Sequence, residues 1–499
     1  MTAPAAPTSP GSAGRLSAAQ QNAVRELVRV SPVAVELGRR FADAGHALHL
    51  VGGSVRDALL GRLGDDLDLT TDARPEQVLE LVSGWADATW ETGIAFGTVG
   101  VQKAGYRLEI TTYRAEQYRP DSRNPEVRYG DSLVDDLVRR DFTVNAMAVA
   151  LPDWKAADAF VDPHGGLDDL AAGVLRTPGR PEDSFGDDPL RMLRAARFAA
   201  QLGFAVAPEV VAAMRDMAGR LAIVSAERVR DELTKLLLGA HPRAGLELLV
   251  DTGLADEVLP ELPALRLEID EHHQHKDVYE HSLRVLERAI ALEPGLGDGG
   301  PDLVLRLAAL LHDVGKPRTR RKQPGGGVSF HHHEVVGAKM VAKRLTALRY
   351  PKDVVEAVRL LTELHLRFHG YGDGRDGRPG WTDSAVRRYV TDAGPQLERL
   401  HRLVRSDCTT RNRRRAAALS AAYDSLEARI AALREKEELD RIRPDLDGDQ
   451  IMAVLGVGPS RLVGEARRHL LELRMEHGPL GEQRAEAELR AWAAERGLL

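Results

Sequence analysis

Asp66 and Asp68 stand one residue apart in Asp66-Leu67-Asp68-Leu69, a short connector beyond Val51-Gly52-Gly53-Ser54-Val55-Arg56-Asp57. Side chains alternate along a strand, so both carboxylates project from one face, where they repel unless a cation lies between them. The glycines let backbone N–H groups approach a ligand, and a helix starting at Ser54 turns its N-terminus toward phosphate. A triphosphate cradle beside paired carboxylates suits nucleotidyl transfer, in which Mg²⁺ ions about 3.5–4 Å apart serve the attacking hydroxyl and the leaving pyrophosphate. Glu109 alternates with Leu108 and Ile110 and faces away from what they bury, which makes it a candidate third acid; a solvated strand position has the same pattern. Taken singly, Gly-Gly-Ser is usually a turn and Asp-X-Asp a solvated edge. Their order and separation carry more.

A second group is Arg139-Arg140-Asp141-Phe142-Thr143-Val144-Asn145-Ala146. Arginine forks suit phosphates, Asp141 and Asn145 suit a ribose, and Phe142, Val144 and Ala146 would pack beneath; a helix start capped by Asp141 predicts much the same pattern without a ligand. The third is Asp187-Asp188-Pro189-Leu190-Arg191-Met192-Leu193-Arg194-Ala195-Ala196-Arg197-Phe198. Pro189 suits a first helical position and makes Asp188 an N-cap. Asp188 and Arg191, three residues apart, also share a face and set an acceptor beside a fork of donors. Cytosine and adenine place an amino group next to an unprotonated ring nitrogen and fit that pair; guanine and uracil offer a carbonyl there, a mismatch costing about 1–3 kcal/mol. Side chains alone would then select C and A, with Arg194 and Arg197 continuing the basic face toward the phosphates.

The second half holds His281, His312-Asp313 and Asp407, with His333 and His365 between. A lone helical histidine is usually structural. His followed by Asp in an apolar helix is expensive to bury unpaired, and imidazoles with carboxylates from separate helices suit a divalent transition metal.

The elements that must position these groups follow from patterning. Residues 17–46 read as helical through Val24, Leu27, Val28, Val35, Leu37 and Phe41, and lead into a strand at Leu48–Val51. A helix at 75–82 and strands at 97–102 and 106–113 complete a small mixed sheet, expected to hold five strands, with flanking helices. Residues 114–133 and 370–380 read as loops. From about residue 175 the pattern is helical, so the fold class is α+β: a sheet-bearing head followed by an all-α remainder. The expected division is a disordered tail at 1–15, a head at 16–175, a helical neck at 176–265, a metal-binding domain at 266–425 and a helical tail at 426–499.

At 499 residues the chain is too long for one core. Hydrophobic residues at 43% and charged residues at 29% describe a soluble globular protein with no membrane partner. Cys408 is the single cysteine, which excludes an internal disulfide and fits a reducing cytosol. The net charge of −7 argues weakly against nucleic acid, because the basic residues cluster, as at Arg411, Arg413, Arg414 and Arg415. The sequence sets no subunit number.

In order, Val-Gly-Gly-Ser-Val-Arg-Asp, Asp-Leu-Asp-Leu-Thr-Thr, Arg-Arg-Asp-Phe-Thr-Val-Asn-Ala-Met-Ala, Asp-Asp-Pro-Leu-Arg-Met-Leu-Arg-Ala-Ala-Arg-Phe and Ser225-Ala-Glu-Arg-Val-Arg-Asp-Glu-Leu233 resemble the motifs of the class II tRNA nucleotidyltransferases, the C-C-A-adding enzymes. The resemblance covers about residues 45–265, and its first two motifs also resemble the wider DNA polymerase β-type superfamily. It implies untemplated addition of C, C and A to tRNA from CTP and ATP. It further implies Gly52, Gly53, Ser54 and Arg56 at the nucleotide and Asp66 and Asp68 as Mg²⁺ ligands. Arg140 would lie at the phosphates, Asp188 and Arg191 at the base, and Arg194 and Arg197 would complete the pocket. Many relatives have Glu where this chain has Asp187. Bacterial poly(A) polymerases share this head, although Thr92-Gly-Ile-Ala-Phe-Gly-Thr-Val99 is closer to the tRNA-specific members. His281, His312, Asp313 and Asp407 resemble the four core ligands of the HD phosphohydrolases, with His333 and His365 matching the further histidines of two-metal members. Phosphatase or 2′,3′-cyclic phosphodiesterase action on RNA 3′ ends is the activity this implies. The rival readings are a poly(A) or partial C-C or A product, a main hydrolase with the head as tRNA-binding module, and a non-catalytic RNA binder.

Overall fold

The computed structural model describes residues 17–498 except 31, 63, 115–128, 157, 267–276, 297–298, 325–327, 369–370, 372–380, 409–411 and 438–442. The expected tail at 1–15, most of the two expected loops and Arg411 lie outside the described residues. The chain divides into two compact units, one ending at Val258 and one beginning at Leu259. Among the described residues no helix is long and apolar enough to cross a membrane.

The first unit opens with α1 (Ala18–Val30) and α2 (Pro32–Asp43), then β1 (Leu48–Val51), α3 (Gly52–Leu59), β2 (Asp66–Thr71) and α4 (Pro75–Val82). β3 (Ala88–Trp90), β4 (Thr98–Lys103), β5 (Tyr106–Thr112), α5 (Leu133–Val138), β6 (Ala148–Leu151) and β7 (Phe160–Val161) complete a sheet in the order β3-β4-β5-β2-β1-β6-β7. The five-stranded expectation is corrected to seven. Ala148–Leu151 is buried along most of its length and Phe160–Val161 is two residues long, so neither shows the alternation that marks a half-buried strand.

β2 and β5 run parallel, with Asp68 opposite Glu109 and Leu67 opposite Leu108. Leu67, Leu69, Leu108 and Ile110 are all buried, which turns Asp66, Asp68 and Glu109 to the other face. The turn from β1 into α3 depends on Gly52, at φ +66°. A Cβ there would meet Arg140 Nη1 at 3.1 Å and Asp68 Oδ2 at 3.2 Å. Ser54 ties α3 to β2: its hydroxyl accepts from the Asp68 N–H at 2.9 Å and lies 3.3 Å from the Asp66 carbonyl.

After α6 (Gly166–Ala172) and β8 (Val174–Leu175) come α7 (Pro181–Asp187), α8 (Leu190–Leu202), β9 (Ala205–Val206), α9 (Pro208–Met217), α10 (Ala226–Leu237), α11 (Pro242–Asp251) and α12 (Leu254–Val258). α8 packs between α10 and α11. Gly245 permits the second approach, since a Cβ there would lie 2.5 Å from the Ala196 carbonyl oxygen.

The second unit contains α13 (Val278–Leu292), α14 (Leu303–Leu311), α15 (Lys316–Thr319), the paired β10 (Arg321–Lys322) and β11 (Val328–Ser329), α16 (His333–Ala347) and α17 (Lys352–Leu364). α18 (Asp383–Ala393), α19 (Leu397–Asp407) and α20 (Arg413–Glu437) follow. α20 runs unbroken past residue 426. α21 (Gly448–Leu455), α22 (Arg461–His477) and α23 (Glu482–Glu495) close over Ile451, Leu455, Leu470, Leu489 and Trp492 as a separate small core.

Candidate functional site

Asp66 and Asp68 line a cleft of about 550 Å³ together with Gly53, Ser54 and Arg56, and Glu109, which is not in its lining, shares their sheet face through its register opposite Asp68. Solvent reaches the Asp68 side chain. Its pKa is nevertheless raised, first by the surrounding protein bulk, with Glu109 adding to the effect and Arg140 opposing it. A carboxylate held at a cost beside two others, all with hard oxygen donors, fits a divalent cation.

Arg139 and Arg140 converge on Asp136, which the sequence reading did not single out. Its side chain is buried, accepts from Arg139 Nε at 3.4 Å and Arg140 Nη2 at 3.2 Å, and meets the Thr70 hydroxyl at 3.2 Å. The signal was present, since an acid three and four residues before two arginines on one helical turn is positioned to hold both.

Arg56, Asp141, Asn145 and Arg197, all buried, gather around the half-buried Arg194. Arg56 donates to Asn145 Oδ1 at 2.6 Å and to both oxygens of Asp57; Asn145 Nδ2 donates to Asp141 Oδ1 at 2.9 Å; Arg194 donates twice to Asp141 Oδ2, at 2.8 and 2.5 Å. Arg197 pairs with Glu232 at 2.8 Å, and its guanidinium lies 4.1 Å from the centre of the Phe198 ring, around which Arg56 and Arg194 also gather. Asp141 borders a second pocket, of about 310 Å³, with both its oxygens hydrogen-bonded, and Arg197, its pKa lowered to about 10 by burial and then by Arg194, does not line that pocket.

Asp141 also provides a stability test. Burial would raise its pKa, but Arg194 and Asn145 outweigh burial and hold it far below the usual carboxylate range. A depressed folded pKa gives stability that is complete above the unfolded value near pH 4 and is lost as pH falls below it. Asp141→Asn is expected to destabilise the first unit by about 3–5 kcal/mol at pH 7, the range for breaking a buried pair. The gap between variant and wild-type denaturation midpoints should narrow toward pH 3, and a gap independent of pH would contradict the charge assignment.

Asp188 and Arg191 face this second pocket, which Arg139, Arg140, Arg194 and Arg228 also line. Pro189, and not Asp188 as the sequence suggested, is the N-cap residue of α8; the Asp188 carboxylate lies just before it and faces the pocket, with Oδ1 accepting from the Leu190 N–H at 3.1 Å and Oδ2 from Arg228 Nη2 at 2.7 Å. Arg191 donates to Ser184 Oγ at 2.9 Å and to the Arg139 carbonyl at 2.6 Å. Arg228 was missed as an individual residue, although it lies inside the quoted Ser225–Leu233 motif.

The second unit brings all six metal-ligand candidates together. His281, His312 and Asp407 form one group and Asp313, His333 and His365 another, with ligand atoms within 4.8 Å of each other in each. Asp313 lies between them: Oδ2 is 3.2 Å from His312 Nε2 and 3.5 Å from His281 Nε2, while Oδ1 is 3.2 Å from His333 Nε2 and 3.9 Å from His365 Nε2. His281 Nε2 meets Asp407 Oδ1 at 2.9 Å. The Nδ1 atoms of His312, His333 and His365 lie 2.9, 2.9 and 2.6 Å from the carbonyls of Ala309, Phe330 and Thr362. Hydrogen bonding thus assigns Nδ1 as donor and points each Nε2 lone pair inward, as a ligating histidine requires. With only protons to balance the carboxylates, burial opposes a charge on His312, but Asp313 and Asp407 hold its pKa up at about 10. His365 is pushed down to about 3, by burial and then by His312. A cluster that draws positive charge to its centre through nitrogen and carboxylate donors fits transition metals.

Three family models match the chain: the poly(A) polymerase head domain at residues 48–176, the probable RNA- and SrmB-binding site of polymerase A at 203–265, and the HD domain at 278–433. An A-adding tRNA nucleotidyltransferase of Deinococcus radiodurans is 34% identical over 458 residues, covering 89% of this chain and 95% of that protein. A CCA-adding enzyme of Leuconostoc mesenteroides is 42% identical over 245 residues, 49% of this chain and 57% of that enzyme. Among solved structures, the Bacillus stearothermophilus CCA-adding enzyme in complex with CTP superposes with a TM-score of 0.65 at 25% identity, over 94% of this chain and 98% of that one.

Proposed function

Because this chain belongs to the tRNA nucleotidyltransferases, we propose that it adds C, C and A without a template to the 3′ ends of tRNA in the cytosol, from CTP and ATP with Mg²⁺. The observation that carries the reading is the base-sized pocket holding Asp188 and Arg191, which shares its lining with Arg140, the arginine that lies between the Gly52 turn and Asp136.

In the reaction the tRNA 3′-hydroxyl oxygen attacks the α-phosphorus, a new P–O bond forms, and the bond to pyrophosphate breaks. Asp66 and Asp68 would hold Mg²⁺, with Glu109 a candidate third ligand; bound there, the ion acidifies the hydroxyl and neutralises phosphate charge. Asp136 holds Arg139 and Arg140 in place for the triphosphate before it arrives, so little reorganisation is needed. Arg228 and the Leu190 N–H fix the plane of the Asp188 carboxylate while leaving lone pairs for a base amino group. A narrower product, the terminal A alone, is favoured by one observation: the relative matched along nearly its whole length is A-adding.

Asp188→Ala is expected to reduce the preference for CTP over UTP by about 10–100-fold, the value of one amino-group contact. Single-nucleotide extension kinetics read the ratio, and an unchanged ratio would leave Asp188 only its structural bonds to the Leu190 N–H and Arg228. The cluster in the second unit supports a phosphohydrolase that trims RNA 3′ ends, with His281, His312, Asp313, Asp407, His333 and His365 as its ligands.

A further inference from the structure

Between Asp313 and His333 the chain leaves the metal-ligand cluster and returns to it, and the intervening segment has an unusual charge. Residues 314–333 contain five Lys or Arg (Lys316, Arg318, Arg320, Arg321, Lys322) and no Asp or Glu, in a protein whose net charge is −7. Lys316 reaches back to Asp313 Oδ2 at 2.8 Å. Arg318, Arg320, Arg321 and Lys322 are exposed, and among the described residues none of them forms an ion pair. Arginines elsewhere in the unit do find carboxylates: Arg344 sits on Glu261, Arg359 on Glu363 and Arg399 on Asp302. Like charges set side by side on an open surface repel each other and await an anion.

Geometry fixes this strip at the cluster. Gly315 packs so closely against the start of α16 that a Cβ would lie 2.0 Å from the His333 carbonyl oxygen. Arg321 pairs with Ser329 and Lys322 with Val328, and the next residue after Ser329, Phe330, accepts the His333 Nδ1 hydrogen bond. The Lys316 ammonium lies 5.8 Å from the centre of the Phe330 ring. The cations are therefore held beside the ligand atoms at both ends of the segment.

A mononucleotide offers one phosphate, which the cluster and Lys316 would engage, and it leaves four cations unused. A strand carries a further phosphate at every nucleotide. We propose that residues 318–322 dock the phosphodiester backbone of an RNA strand whose terminal phosphate lies at the cluster, so that this centre prefers RNA ends to free nucleotides. The proposal rests on the phosphohydrolase reading of the cluster, and its test separates the two.

The full-length protein, supplied with Mn²⁺, is compared with Arg320→Ser/Arg321→Ser/Lys322→Ser and with Arg320→Lys/Arg321→Lys, which keeps the charge. The probes are a short single-stranded RNA ending in a 3′-phosphate and adenosine 3′-monophosphate. Phosphate release and hydrogen-exchange protection of residues 316–333 are both read. The expected result is a KM for the RNA that rises about tenfold in the serine variant, with a log–log salt dependence shallower by about 2, the value for three lost phosphate contacts. Hydrolysis of the mononucleotide stays unchanged, the lysine variant behaves as wild type, and the RNA alone protects the strip. Equal KM values for the two probes, or a serine variant that handles RNA as wild type does, would overturn the docking strip and leave the hydrolase standing. If neither probe is hydrolysed, the hydrolase reading fails; protection by RNA then upholds docking, and its absence overturns that as well.

Discussion

Replacing Asp68 with alanine is expected to lower nucleotide addition on the order of 10³-fold or more while tRNA binding and fold persist, because a catalytic cation supplies several kcal/mol of transition-state stabilisation and each 1.36 kcal/mol is about tenfold in rate. The variant should fold well. The β2 contact at this position is made by the Asp68 backbone N–H to Ser54, which alanine keeps. The side chain is held at a cost, since the surrounding protein and Glu109 both raise its pKa. Removing it relieves repulsion, so the denaturation midpoint measured without divalent metal should hold or rise, as happens where function is maintained against stability. Addition measured by extension of labelled tRNA should vanish alongside that unchanged midpoint. Retained turnover would remove Asp68 from the metal site, and a collapsed midpoint would make its role structural.

The second large effect is expected at Asp313. Its two oxygens face the two histidine groups separately, so one substitution removes a ligand from both. Altering even a partner of a ligand typically costs about 10–100-fold in metal affinity, and Asp313→Ala should exceed that. Metal content after dialysis, with isothermal titration of Mn²⁺ or Zn²⁺, reads the outcome. The wild type should retain metal, the variant should not, and the variant's nucleotide addition should be unaffected. Equal metal content in the two proteins would contradict the ligand assignment. The loss of a buried charge also takes one carboxylate partner from each of Lys316 and His312, so His365→Gln, which removes one ligand and no charge, serves as the control that folds.

The strand at 48–51 and the helix at 75–82 were legible in the sequence to the residue, because a short apolar run ending at a glycine pair and a leading proline are local signals. The count of strands was not, since β6 and β7 are short and the first is mostly buried. The identities of the candidate site residues were legible from type and spacing, but their partners were not. That Asp188 meets Arg228, that Arg197 meets Glu232, and that Asp68 lies opposite Glu109 are consequences of tertiary packing, which no local window contains. Arg194 and Arg197 read as phosphate ligands because arginine on a helix face is a donor whatever it meets. In the fold, Asp141 and Glu232 meet them first. In the second unit the six ligand types were visible one by one, whereas the placement of Asp313 between two groups depends on ligands carried by α13, α16, α17 and α19 or their ends converging just beyond the end of α14.

The most direct test of the central claim is extension of a tRNA transcript lacking its terminal C-C-A, with Mg²⁺ and each nucleoside triphosphate singly and together, the product read by mass. Three added residues, C, C and then A, and a stop there are expected. A long run of A, or C-C or A alone, would contradict the product assigned here, and no addition at all would contradict nucleotidyl transfer by the first unit.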